Sequence, residues 1–200
     1  MILLTCAVGK ELAFFTSMPH VEMLVTGVGP VESGVSVARA LAQSSYELVI
    51  NAGIAGAFPG AADIGQGVVV SEEFMFLGLE NGEPLALPGG ARVVDRVSSD
   101  LALVDRMLEQ GFAAKRGLTV CAVTATQQSA EGLAAYGDIE SMEGFAVLRA
   151  AEMAGVAAIE VRGISNFVTD RAESKWNFDE GARGLEGVLI SLLSLVAHAE

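Results

Sequence analysis

Residues 23–56 read MLVTGVGPVESGVSVARALAQSSYELVINAGIAG, and this stretch decides the fold class. Residues 23–26 are a short apolar run stopped by Gly27-Val28-Gly29-Pro30. Beyond it Val31, Gly34, Val35, Ala38 and Leu41-Ala42 recur at three- and four-residue steps, the period of an amphipathic helix. Pro30 suits the first turn, where its missing N–H would have no partner anyway. Residues 47–51 return to a strand-length run that ends in small residues, Gly53-Ile54-Ala55-Gly56. Strand, then helix, then strand is the alternation that builds an α/β sandwich around a largely parallel sheet.

The same alternation continues outward. Residues 2–8 form a continuous apolar run bounded by Gly9, as expected of a strand buried on both faces. Residues 67–71, 73–77, 118–123 and 157–161 read as further strands. Residues 81–91, with two prolines and three glycines, read as a loop. Ser99 or Asp100 can cap a helix through Leu103, Val104, Met107 and Leu108, which Gly111 stops. Residues 142–154, ended by Gly155, and residues 178–199 complete the helices. No linker, internal repeat or low-complexity segment divides the chain, so residues 1–200 are read as one domain.

Of the 200 residues, 52% are hydrophobic and 18% charged, which excludes a disordered chain. Twelve basic against 25 acidic residues leave a net charge of −13. Nucleic-acid binding and docking on an anionic membrane are excluded on that ground, since both need clustered Lys and Arg. Two cysteines (Cys6, Cys121) and two histidines (His20, His198) are too few and too scattered for a disulfide framework or a metal site. Lys10 follows the first apolar run instead of preceding it, the reverse of a signal peptide. Residues 187–199 are apolar but shorter than the ~20 residues that span a bilayer. A cytoplasmic protein is expected.

Polar and glycine-rich residues collect at strand ends, where open α/β sheets bind ligands. Gly27-Val28-Gly29 lacks the third glycine of a dinucleotide fingerprint, because Glu32 occupies it. Asn51-Ala52-Gly53-Ile54-Ala55-Gly56 allows close backbone approach and contains no basic residue, whereas a phosphate site wants one. Glu140-Ser141-Met142-Glu143-Gly144 opens a helix, where a carboxylate is stabilised by the helix dipole or can accept from a vicinal diol. Met142 offers a sugar ring an apolar face. In Val161-Arg162-Gly163-Ile164-Ser165-Asn166-Phe167, Arg162 reads as an ion-pair partner, and Asn166 carries the donor and acceptor needed to read a heterocycle edge. Glu11 reads as a helix-start residue, and both histidines as surface residues.

In combination, these segments resemble the nucleoside phosphorylase and nucleosidase family, in order and in spacing, over most of the chain. The resemblance implies a three-layer α/β/α sandwich with a central mixed sheet, usually assembled as a homo-oligomer. It implies cleavage of the N-glycosidic bond of a purine nucleoside without metal or organic cofactor. By the same resemblance Glu143 binds the ribose hydroxyls, Met142 lines the sugar and Glu11 positions the water, with Gly53, Ser165 and Phe178 beside the substrate. Asn166 stands where adenine-releasing methylthioadenosine and adenosylhomocysteine nucleosidases carry Asp. An amide cannot supply a proton to N7, but it can donate to a 6-oxo group, so hypoxanthine fits better than adenine. Phosphorylases of the family typically carry Arg where Asn51 stands, so water is the expected acceptor. Ile54 replaces a Ser near the water, and residues 123–126 lack the aromatic that commonly stacks on the base. Trp176 or Phe178 can pack beside the substrate instead, or equally serve as core or oligomer contacts. A phosphorylase, an adenine-releasing nucleosidase and a non-catalytic purine-nucleoside binder are the alternatives.

Overall fold

The computed structural model describes residues 1–77 and 93–197, with residues 79, 80, 83, 84, 87 and 89 between them. Strand β1 (Ile2–Cys6) leads through a 3-10 turn (Gly9–Leu12) to β2 (Val21–Val25), α1 (Pro30–Gln43), β3 (Leu48–Ala57) and β4 (Gly67–Met75). The short pair β5 (Leu79–Glu80) and β6 (Glu83–Pro84) precedes β7 (Arg96–Ser98), α2 (Leu101–Glu109), β8 (Ala113–Thr119) and α3 (Gln127–Leu133). Then come β9 (Ile139–Ser141), α4 (Gly144–Ala154), β10 (Ala157–Phe167) and α5 (Phe178–Ala197).

The sheet is mixed. Parallel β1, β3 and β10 form its centre, with β2 outside β1, while β4 and β9 join β10 and β3 antiparallel. Because β8 pairs with both β4 and β9, the strands β10, β4, β8, β9 and β3 close on themselves. The apolar runs are continuous because both faces are covered. Leu3, Val49 and Ala158 pack towards α1 and α4, whereas their neighbours Leu4, Ile50 and Ile159 pack towards α5. Along α5, Leu185, Val188, Leu189, Leu192 and Leu193 recur at helical spacing and are buried on that second face.

Several boundaries differ from the sequence reading, each for a local reason. The strands expected at 67–71 and 73–77 merge into one, β4, which ends at Met75 and whose register against β8 slips between Val70 and Glu72. Strand β8 occupies residues 113–119, not 118–123. Lys115 and Arg116 hide it from a hydrophobicity reading, although Arg116 is paired with Asp138 at 2.9 Å. Strand β10 runs six residues beyond the expected 161. Helix α4 starts at Gly144, since residues 139–141 form β9. The short polar helix α3 was not foreseen. Asp100, not Ser99, caps α2 by accepting the Leu103 N–H at 3.0 Å, while the Ser99 hydroxyl accepts the Glu160 N–H. Most of the expected loop at residues 81–91, and His198 with the end of the last helix, lie outside the described residues.

Helix α1 holds the clearest correction. Ser33 and Val37 face the core, with Gly34 against Ala146, whereas Val31, Val35, Ala38 and Ala42 are exposed. The more regular apolar stripe of this helix therefore points away from the sheet. Among the described residues no helix is long and apolar enough to cross a membrane.

Candidate active site

The parallel strands β1, β3 and β10 carry their C-terminal ends to one cavity of about 220 Å³. It is lined by Glu11, Ile54, Glu140, Met142, Glu143, Ser165, Asn166 and Phe178, among others. Six of the seven expected site residues thus meet in one place. Gly53 does not line it.

Glu11 sits in the turn after β1 and is buried. One carboxylate oxygen accepts the Val8 N–H at 3.0 Å, the acidic half of a capping box, and the other accepts the Ile54 N–H at 3.0 Å. Valine cannot supply the other half of the box; the Glu11 carboxylate adds to the backbone bond from Glu11 N–H to the Val8 carbonyl and ties the turn to β3. Burial pushes the Glu11 carboxyl above its ordinary value, against the pull of Arg162 and the two amides.

Glu143 occupies the N-cap position of α4 but does not cap it with its side chain. Its Oε1 instead accepts the Gly29 N–H at 2.9 Å, from the turn before α1. Gly29 has φ +93°, a conformation strained for any side chain. The dipole reading is therefore replaced by a tertiary bond. Glu140 departs further: it lies on β9, where its carboxylate accepts the Thr124 N–H at 3.0 Å and bonds the Thr124 hydroxyl. Burial pushes its carboxyl up, and the two Thr124 bonds pull it down.

Beneath Glu11 and Glu143 lies Arg162, 1% exposed. Its Nε donates to Glu160 at 2.7 Å, its Nη1 donates to the Ile54 carbonyl at 3.2 Å, and Glu143 Oε2 is 3.9 Å away. Gly53 exists for this arginine. A Cβ there would overlap the guanidinium and stand 2.8 Å from Glu11 Oε1, so Gly53 acts under the cavity and not at its surface. The expectation that no basic group stands beside Gly53 is also corrected, because Arg162 reaches it from β10. Burial opposes that charge, yet Glu160, Glu143 and Glu11 hold it above its ordinary value. Behind Glu160, Glu73 accepts the Thr119 hydroxyl at 2.7 Å and turns its other oxygen towards the same spot beside Gly144 as Glu160. Burial and the neighbouring Glu160 push the Glu73 carboxyl well above its ordinary value, against the pull of the Thr119 hydroxyl and Arg162. Asn51 lies inside the sheet, 2% exposed, and accepts from Thr5 at 3.1 Å.

At the other end, Asn166 Oδ1 lies 2.8 Å from the Ser165 hydroxyl, and Nδ2 faces the Phe167 carbonyl at 3.2 Å and Ser174 Oγ at 3.4 Å. Phe178 and Trp176 form the apolar wall; the Phe178 ring lies 4.1 Å from Lys10 Nζ, and Trp176 is 57% exposed. His20 is exposed, away from the cavity lining. Among the described lining residues there are three carboxylates and no Lys or Arg. Such a wall favours a reacting centre that develops positive charge and disfavours a free phosphate beside it.

Glu160, Glu73 and Thr124 escaped the sequence reading. Glu160 and Arg162 stand two apart in an otherwise apolar strand, hence on one face, and that spacing was the available signal.

A family model described as the phosphorylase superfamily matches residues 7–194, and the chain belongs to that superfamily. Among its relatives, the futalosine hydrolase of Thermus thermophilus is 33% identical over 180 residues, covering 86% of this chain and 80% of its own. The futalosine hydrolase of Streptomyces coelicolor is 32% identical over 179 residues, covering 82% and 74%. Among solved structures, the 5'-methylthioadenosine/S-adenosylhomocysteine nucleosidase of Helicobacter pylori superposes with a TM-score of 0.81 at 16% identity, covering 97% of both chains. The corresponding nucleosidase of S. pneumoniae gives 0.79 at 21% identity, covering 96% of this chain and 97% of its own. These structures establish the three-layer nucleoside phosphorylase-like fold.

Proposed function

We propose that this chain is a purine N-ribohydrolase that cleaves futalosine with water, releasing hypoxanthine and leaving the carboxylated sugar for menaquinone biosynthesis. The observation that carries the reading is a cavity lined by Glu11, held by two backbone amides, and by Glu143, paired with Arg162, with no lining cation among the described residues and with Asn166 in its wall. The named relatives support the substrate.

Cleavage passes through a ribosyl cation-like transition state. Glu143 accepts from the sugar hydroxyls through its free lone pairs and supplies negative charge close to the ring. Met142 packs against the sugar, and Phe178 walls the substrate. Glu11, held by two amides, orients the attacking water, the task of a carboxylate within hydrogen-bond reach. Ile54 contributes its N–H to Glu11 in place of a side-chain hydroxyl to the water. Asn166, steadied by Ser165, exchanges one of its long Nδ2 bonds for the departing base and so stabilises the charge that leaves with it. No step calls on a metal or organic cofactor.

The test incubates purified protein with futalosine, inosine and methylthioadenosine, with and without phosphate, and follows free base by chromatography. Hypoxanthine from futalosine, independent of phosphate, is the expected result. Adenine release from methylthioadenosine as the main activity, a strict need for phosphate, or binding without turnover overturns the reading. We also propose that the protein works in the cytoplasm as a homo-oligomer. Val25, Val28, Val31 and Val35 are all exposed, and Val28 also lines the cavity.

A further inference from the structure

Behind Arg162 lies a pair of carboxylates that the steps above leave unused. Glu73 on β4 and Glu160 on β10 are both fully buried. Two glycines make room for the Glu73 carboxyl: Gly117, its partner in the register of β8, and Gly144 at the start of α4. A Cβ on either would overlap Glu73 Oε1, and a Cβ on Gly144 would overlap Glu160 Oε2 as well. The two oxygens therefore meet beside Gly144. Among the described residues neither finds a donor. The Gly144 N–H itself donates to the Ser141 hydroxyl at 3.4 Å.

These oxygens sit in a ring of contacts whose hydrogen bonds have their direction fixed everywhere else. The Phe145 N–H donates to the Thr119 hydroxyl at 2.8 Å, and that hydroxyl donates to Glu73 Oε2 at 2.7 Å. On the other side Arg162 Nε donates to Glu160 Oε1 at 2.7 Å, and Arg162 Nη1 lies 3.9 Å from Glu143 Oε2. Glu143 and Phe145 flank Gly144, so the ring closes on the turn that carries the sugar-end carboxylate. Glu73 and Glu160 thus both reach the gap between them as acceptors. Two buried anions repel across such a gap, whereas one proton between them closes it.

We propose that Glu73 is a positioning residue: it supplies the single proton shared with Glu160 and thereby keeps Arg162 paired with Glu143. The proposal rests on the purine-nucleosidase reading above for its effect on turnover. With one proton, the pair presents one negative charge to Arg162. The guanidinium meets that charge through Nε and keeps Nη1 for the Ile54 carbonyl and Glu143. A second anion would draw the guanidinium off Glu143. The charged groups acting on Glu73 are Glu160 and Arg162 of β10, while β8 faces it with Gly117 and Thr119, β7 pairs with it through Val97, and α4 offers Gly144. Burial and Glu160 outweigh Arg162 there, which agrees with a carboxyl that keeps its proton.

Two measurements test it. In the first, wild type and Glu73→Gln are unfolded in urea across a range of pH. Glutamine keeps an acceptor for Thr119 and offers Glu160 a permanent N–H. A proton bound more tightly in the folded state stabilises at low pH, and that contribution is lost as pH rises through the raised folded value. Above the ordinary Glu range, the wild-type unfolding constant is expected to rise relative to the variant by up to about tenfold per pH unit until the proton leaves. Glu11 and Glu140 titrate in both proteins and cancel. Identical pH dependence, or a glutamine variant that does not fold, overturns the proposal. In the second, Glu73→Met, which breaks the ring, is expected to lower kcat on futalosine at least about tenfold with KM little changed. Glu73→Gln is expected to restore most of that loss. Equal kcat for the two variants overturns the positioning role. Should Glu73→Met not fold, Glu73→Gln decides alone, and a kcat more than about tenfold below wild type overturns the proposal. If the wild type releases no base from futalosine, the functional reading fails, while the urea comparison still decides for or against the shared proton.

Discussion

The two ends of the cavity are held by different materials. At the sugar end, Glu11 and Glu143 are tied to the Val8, Ile54 and Gly29 amides and face a fully buried guanidinium. At the base end hydroxyls share the work with the backbone: Asn166 bonds the Ser165 and Ser174 hydroxyls beside the Phe167 carbonyl, and Glu140 bonds the Thr124 hydroxyl beside its N–H. The guanidinium at the centre of the buried charge network cannot be removed without disturbing the sheet. Hydroxyl anchors can. The first construction suits chemistry that must not vary, and the second suits the choice of base.

Arg162→Met is the largest perturbation of this contrast. It leaves Glu160, Glu143 and Glu11 facing one another without a counter-charge, at a cost of about 3–5 kcal/mol of stability. Thr124→Val, the corresponding loss at the base end, costs about 1 kcal/mol. Urea unfolding of both variants checks the ordering, and equal losses would remove the contrast. Glu143→Gln is expected to lower turnover on the order of 10³-fold while leaving the thermal midpoint nearly unchanged. Asn166→Asp comes next. Hypoxanthine release should drop at least about tenfold, more than folding weakens, because the donor facing the base becomes an acceptor. Unchanged turnover would take Asn166 out of the mechanism.

The pH profile distinguishes the ends more finely. Glu11 and Glu140 both have carboxyl pKa values raised chiefly by burial, and Glu11 acts ionised. As pH falls through those raised values each gains a proton, so the acid limb of kcat/KM lies above the ordinary Glu range. The linkage to stability has the opposite sign. The folded state binds these protons more tightly than the unfolded chain, so their contribution is present at low pH and is lost as pH rises through the folded values. The smallest effect on folding belongs to Val31→Ser with Val35→Ser. Stability should move by about 0.5 kcal/mol or less, while sedimentation velocity detects weakened self-association.

How much of this was legible in the sequence follows the same division. The strand–helix alternation and the small-residue segments Gly27-Val28-Gly29 and Asn51 to Gly56 are local signals, and they located the cavity. Glu11, Glu143 and Asn166 were legible as site candidates through motif resemblance. What stayed hidden depends on tertiary register. Nothing local says that Arg162 passes under Gly53, that Glu143 bonds Gly29 across 114 residues, or that Glu140 and Asn166 pair with Gly56 from opposite sides. Strand β8 was misplaced because Lys115 and Arg116 interrupt its apolar pattern. The outward stripe of α1 was missed for another reason, since a helical period reveals a face but not its partner.

The most direct measurement is the initial rate of base release from futalosine and from methylthioadenosine, in phosphate-free buffer, at equal low substrate concentration. A hydrolase built around these carboxylates and Asn166 releases hypoxanthine at least about a hundredfold faster than adenine, and added phosphate does not accelerate it. Preferential release of adenine, or a rate that appears only with phosphate, contradicts the account.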